Sequence, residues 1–213
     1  MKRQRIMLGL TAGVFGLLGL LIACADSADS KAELRGQVEA LEEGQSLTHG
    51  GVKMTLHKKA TGSLGPDGWV TATSVGCGFT VRLPARYNDF TTTATAKDGA
   101  VISMHTVGTV SPSGMKLVAM CVERSDNTLP PGWADETAGA LEGSARYLTR
   151  QPVSLQGLQG TEILIESPNG SRLAARYLGD GQRGYQLSVE YPQQLEPQAG
   201  ALVSTFFGSF SPE

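Results

Sequence analysis

Three cysteines and three histidines are the residues whose chemistry depends most on what surrounds them. Cys24 closes an apolar run and opens a polar one, in Leu21-Ile22-Ala23-Cys24-Ala25-Asp26. A thiol at such a junction either ends a membrane helix or carries a lipid. Cys77 and Cys121 stand far apart in the chain, each beside residues of strand type. His49, His57 and His105 have no partner at metal-ligand spacing in the sequence, so each reads as an ordinary surface or half-buried histidine. Two thiols without neighbouring histidine ligands do not suggest zinc, and no metal or cofactor is expected. The sequence has no G-x-S-x-G elbow, no G-x-x-x-x-G-K loop and no H-E-x-x-H helix. Gly76-Cys77-Gly78 opens a strand rather than a helix, so it cannot cradle a phosphate at a helix N-terminus. No catalytic residue is expected.

The context of Cys24 favours the lipid. Lys2, Arg3 and Arg5 form a basic start, and the apolar run from Ile6 to Ala23 is 18 residues long with four glycines. That length is at the lower edge of what crosses a bilayer core of about 30 Å. No basic stop-transfer flank follows; Asp26 and Asp29 follow instead. This is the layout of a signal peptide. Leu21-Ile22-Ala23-Cys24 resembles a bacterial lipobox, which implies diacylglycerol on the Cys24 thiol, cleavage after Ala23 and acylation of the new amino terminus. A plain signal peptide and an uncleaved anchor are the rival readings. Stable attachment needs at least two acyl chains, which such a cysteine carries. By the sorting pattern of enteric bacteria, Ala25 after the cysteine favours the outer membrane, with the domain facing the periplasm.

Removing residues 1–23 takes away three basic residues and no acid, so the net charge moves from −2 to −5. No basic stripe remains to displace counterions from phosphates, so nucleic acid is not an expected partner. With Cys24 lipidated, an even pair of cysteines remains in an exported chain, which reads as a Cys77–Cys121 disulfide. It would close a loop of about 44 residues, worth about 4 kcal/mol in the chain-entropy model. The alternative is two separate buried thiols on neighbouring strands.

The positioning elements are mostly strands. Residues 24–51 are polar and read as a tether, with a short amphipathic helix from a Ser30 cap through Leu34, Val38 and Leu41 to Gly44. Residues 52–213 form the domain. Alternation predicts strands at Val52–Leu56, from Trp69, and through Cys77-Gly78-Phe79-Thr80-Val81-Arg82-Leu83, where Phe79, Val81 and Leu83 share a face. Lys97-Asp98-Gly99 turns a hairpin, and residues 115–124 read as a central strand. Trp133, Thr137, Leu141, Ala145 and Leu148 have near-helical spacing, so a helix is predicted over residues 133–148, with Gly139 and Gly143 allowing close packing. Pro168-Asn169-Gly170 predicts a hairpin pairing Glu166 with Arg172, Ile165 with Leu173, Ile163 with Ala175 and Glu162 with Arg176. Glu162 and Glu166 therefore read as structural rather than as a general acid/base couple. Asn169-Gly170-Ser171 is a turn before it is a glycosylation site. Tyr185, Leu187, Val189 and Tyr191 share a core face, and Leu195, Ala199, Leu202, Phe206 and Phe210 form a helical stripe.

Residues 68–210 resemble the PsbP/Mog1-like family, through Gly68-Trp69, the strand ending Arg82-Leu83-Pro84, residues 154–163, residues 176–189 and the closing Phe206-Phe207-Gly208-Ser209-Phe210. The resemblance implies an α+β fold, an antiparallel sheet flanked by helices as an α/β/α sandwich, and transfers no catalytic residue. The expectation is a non-catalytic envelope lipoprotein that binds other envelope proteins and helps assemble a secretion, motility or outer-membrane machine. A periplasmic domain binding a small molecule or ion is the alternative.

Overall fold

The computed structural model describes residues 28–142 and 144–213. The signal peptide expected at 1–23, Cys24 and Gly143 lie outside them.

Short alternating runs separated by glycine turns fold into one nine-stranded antiparallel sheet. The strands are β1 (Ser46–His49), β2 (Val52–Lys58), β5 (Asn88–Thr95), β6 (Val101–Val110), β7 (Lys116–Arg124), β8 (Arg146–Leu155), β9 (Leu158–Glu166), β10 (Ser171–Gly179) and β11 (Arg183–Pro192). Their spatial order is β1-β2-β5-β6-β7-β11-β10-β9-β8. The strand β7 is the middle of the nine with both faces covered, and is apolar along most of its length for that reason. A separate hairpin, β3 (Val70–Thr73) with β4 (Thr80–Leu83), lies between β2 and β5 in the chain.

One face of the sheet packs against that hairpin and the C-terminal helix α3 (Glu196–Gly208). Phe79, Val81 and Leu83 are fully buried there, as their alternation predicts. Phe210 sits 5.3 Å from Tyr185 and 5.9 Å from Phe79, ring centre to ring centre. Each such aromatic contributes about 1.5–3 kcal/mol by leaving water.

The opposite face is covered by α1 (Ala28–Ala40) at one end and α2 (Trp133–Gly139) at the other. Here the structure corrects two expectations. Residues 28–51 are not a tether. Leu34 and Leu41 are only 3% and 8% exposed, packed with Met54, Leu56 and Phe90, and β1 extends the sheet through Leu47 opposite Met54. The apolar stripe of α1 has a partner surface, so the helix belongs to the domain.

The helix predicted over 133–148 stops at Gly139, and β8 begins at Arg146. Gly139 is a poor helix former. Gln156-Gly157, with φ of 53° and 82°, turns β8 back onto β9. Pairing with β9 therefore wins residues 146–148 from the helix. The protein is mostly antiparallel sheet with a few helices, more β-rich than an α/β/α sandwich, because a β hairpin shares one face with α3.

The β9–β10 hairpin has the predicted register. Glu166 faces Arg172, Ile165 faces Leu173, Ile163 faces Ala175 and Glu162 faces Arg176. Gly170 takes the left-handed turn position at φ 79°, and the Ser171 N–H donates to Asn169 Oδ1 at 3.0 Å.

Candidate functional site

Two features combine chemistry with shape: a buried polar chain on one face of the sheet, and an apolar cleft on the other.

The polar chain is built by strand order. β5 lies between β2 and β6, so Thr91 comes opposite His105, and His105 opposite Cys121 on β7. The β2–β5 register shifts between Leu56 and Lys58, leaving His57 as the extra residue of a bulge. Bulges re-aim side chains. This one delivers His57 Nε2 to 2.7 Å from Thr91 Oγ1, which is in turn 2.9 Å from His105 Nδ1. His105 Nε2 lies 3.5 Å from Glu123 Oε2, and Arg183 Nε donates to Glu123 Oε1 at 2.8 Å. Glu123 and Arg183 are direct cross-strand partners.

The hydroxyl of Thr91 has one proton, which sets a direction along the chain. With His105 neutral, Nε2–H points to the Glu123 carboxylate, Nδ1 accepts from Thr91, and Thr91 accepts from His57 Nε2–H. Burial pushes the His105 pKa below the ordinary imidazole value, opposed by the Glu123 charge, so the neutral form holds at pH 7.

The loop from Ser74 to Gly78 covers this chain. Cys77 in that loop is joined to Cys121, with Sγ–Sγ 2.06 Å and Cα–Cα 6.4 Å. Gly76 lies against the His105 ring, where no β-carbon fits. Asp89, 1% exposed, accepts the Val75 N–H on Oδ2 at 2.8 Å. Burial raises its pKa above the usual carboxylate range, offset in part by the Val75 bond and by His57.

Sequence spacing hides this assembly. His57 and His105 are distant in the chain and are gathered only by the order β2-β5-β6. Alternation within a strand places Thr55 with His57 on one face of β2, and the registers of β2 with β5 and of β5 with β6 bring Thr91 and His105 to that same face. His49 stays apart on the edge strand β1. Glu162 and Glu166 are held by arginines: Arg176 Nε to Glu162 at 2.6 Å, and Arg172 and Arg146 to Glu166 at 3.4 and 2.9 Å. The Arg146 hydrogen bond holds the Glu166 carboxyl below its usual range.

The second feature is a cleft of about 450 Å³ between the C-terminal half of α1 and the strands β2 and β5. Its floor is Val38, Leu41, Met54, Leu56 and Phe90. Its rim carries Glu39, Lys59, Thr61 and Asn88. Lys59 is tied to Glu42 at 2.8 Å, and Asn88 Oδ1 accepts the Ala60 N–H at 2.9 Å. Those bonds tie the loop after β2 to the segment after α1 and to the first residue of β5. A second hollow, of about 550 Å³, lies beside Trp133 with Asp135, Gln159 and Thr161 on its wall. Among the described residues no helix is long and apolar enough to cross a membrane.

No protein-family profile matches the chain, and no curated protein matches it. Among solved structures it is similar to cyanobacterial PsbP (CyanoP) from Synechocystis sp. PCC 6803. The identity is 12%, the TM-score 0.45, and the match covers 73% of this chain and 98% of that one.

Proposed function

We propose that this chain is a membrane-anchored, non-catalytic binding component of a cell-envelope complex, carrying a PsbP/Mog1-like domain into the periplasm from a lipid on Cys24. The observation that carries the binding role is the cleft under α1. An apolar floor with a polar, braced rim suits an apolar segment of a partner protein, whose side chains fill the floor while its backbone meets Glu39, Thr61 and Asn88.

The anchor gives the cleft its setting. α1 begins at Ala28, so only residues 25–27 separate it from Cys24. That span reaches about 14 Å when fully extended. A lipidated Cys24 would therefore hold the domain close against the membrane, with α1 as its nearest element. Outer-membrane placement rests on Ala25. The PsbP/Mog1-like reading rests on the motif residues, most of which fall on β4, β9, β10, β11 and α3. The non-catalytic role is supported by the pairing of Glu162 and Glu166 with arginines and by the bonding of Cys77 to Cys121.

Co-purification of the full-length lipidated chain from native envelopes tests this directly. The same envelope protein is expected in independent preparations; repeated recovery of none counts against it. One observation favours a second reading: the cleft volume lies within the range of about 300–1,000 Å³ typical of small-ligand pockets. An apolar small molecule retained in native mass spectra, with no protein partner, would select that reading.

A further inference from the structure

The disulfide ties the loop between β3 and β4 to the middle strand of the sheet. Glu123 is two residues beyond Cys121 on β7, so both side chains leave the same face. The two sulfurs and a carboxylate oxygen of Glu123 lie within 4.8 Å of one another. Cys77 Sγ is 3.8 Å from Glu123 Oε1. On the other side of that carboxylate, His105 Nε2 stands 3.5 Å from Oε2. Cys77, Cys121 and His105 are all buried. Two sulfurs and a carboxylate thus converge from β7 and the covering loop, and the imidazole of His105 on β6 stands behind that carboxylate, within reach of it but outside the 4.8 Å cluster.

We infer that the disulfide masks a latent zinc site: once it is reduced, Cys77, Cys121, Glu123 and His105 bind one Zn²⁺. This goes beyond the binding role of the cleft and does not depend on it. Zinc takes thiolate at about 2.3 Å and imidazole or carboxylate at about 2.0–2.2 Å, in tetrahedral sets of four. On reduction the sulfurs, now bonded at 2.06 Å, must separate and the covering loop must bring them towards the His105 side of Glu123 to reach that geometry. Two thiolates select zinc over magnesium or calcium.

The exchange balances. A dithiol reductant supplies two electrons and two protons, closes to its own disulfide, and leaves two thiols on this chain. Zinc then displaces the two thiol protons. Thr91 already provides the outer support. When its hydroxyl reverses, it accepts Nδ1–H of His105 and frees the Nε2 lone pair for the metal, while Arg183 steadies Glu123.

The test uses the full-length protein with cobalt(II) as the optical probe and zinc as its competitor. Phosphine-reduced wild type is expected to take up one cobalt per chain, with a sulfur-to-cobalt charge-transfer band that zinc abolishes. The oxidised protein should give no band, and neither should the Cys77→Ser/Cys121→Ser chain. Glu123→Gln and His105→Ala should each weaken binding about tenfold or more. A folded, reduced wild type that gives no band overturns the site. So does binding that both variants leave unchanged, since the metal would then sit on the thiols alone. Should reduction unfold the chain, added zinc is expected to restore the far-ultraviolet spectrum of the oxidised form, and failure to restore it overturns the inference equally.

Discussion

A side chain at Gly76 has no room. A β-carbon there would fall 1.9 Å from His105 Nδ1 and 2.5 Å from Cε1, against a ring that Thr91 holds in place. Gly76→Ala must therefore displace either the covering loop or the imidazole, and a loss of about 1–3 kcal/mol is expected in urea denaturation. An unchanged midpoint would mean that the loop yields freely. Asp89 makes the complementary prediction in charge. Its folded pKa is raised, chiefly by burial, so ionisation is harder in the folded state than in the unfolded one. That linkage removes stability as pH rises through the ordinary carboxylate range towards the raised value. The melting temperature of Asp89→Asn, relative to wild type, should rise between about pH 4 and pH 7. A difference that stays flat with pH would show that Asp89 does not titrate in that window. At this scale the sequence is least informative. Alternation places His57 and His105 on faces, but only strand order tells that the two faces are the same.

α1 is the element whose role changes most between sequence and structure. Its polar residues outnumber its apolar ones, so read alone it resembles a tether. Its partners, Met54, Leu56 and Phe90, lie further along the chain, where no local pattern connects them to Leu34. Leu34→Ala should cost about 2–5 kcal/mol, as expected for a buried leucine. A tether residue would cost nothing measurable in the same denaturation experiment. The β9–β10 hairpin is the opposite case. Its turn residues, charge pairs and apolar face are all local, so the pairs Glu162 with Arg176 and Ile163 with Ala175 carry enough to fix the register. α2 falls between the two. The spacing of Trp133, Thr137 and Leu141 is helical, but the pattern continues by coincidence through Ala145 and Leu148 into residues that pair with β9. The Tyr147 hydroxyl then donates to the Ala138 carbonyl, binding the strand to the end of the shortened helix.

Over the whole molecule, two runs of antiparallel strands meet where β11 returns beside β7. That pairing joins residues 183–190 to 116–123 and cannot be read from either segment. The disulfide fixes the covering loop to this same middle strand across a separation of 44 residues. Converting both Cys77 and Cys121 to serine should therefore lower stability by about 4 kcal/mol in the chain-entropy model. A loss below 1 kcal/mol would mean that packing around Phe79 and Phe210 alone holds the loop. The apolar cleft belongs to this scale as well, because α1, β2 and β5 create it together. The binding role is tested most directly by photo-crosslinking in intact envelopes, with a benzophenone amino acid at Thr61 on the cleft rim and, for comparison, at Val75, which is 70% exposed on the loop over the other face. The expected result is one reproducible adduct with an envelope protein from position 61 and none from position 75; equal labelling from both positions, or no reproducible adduct from position 61, would contradict it.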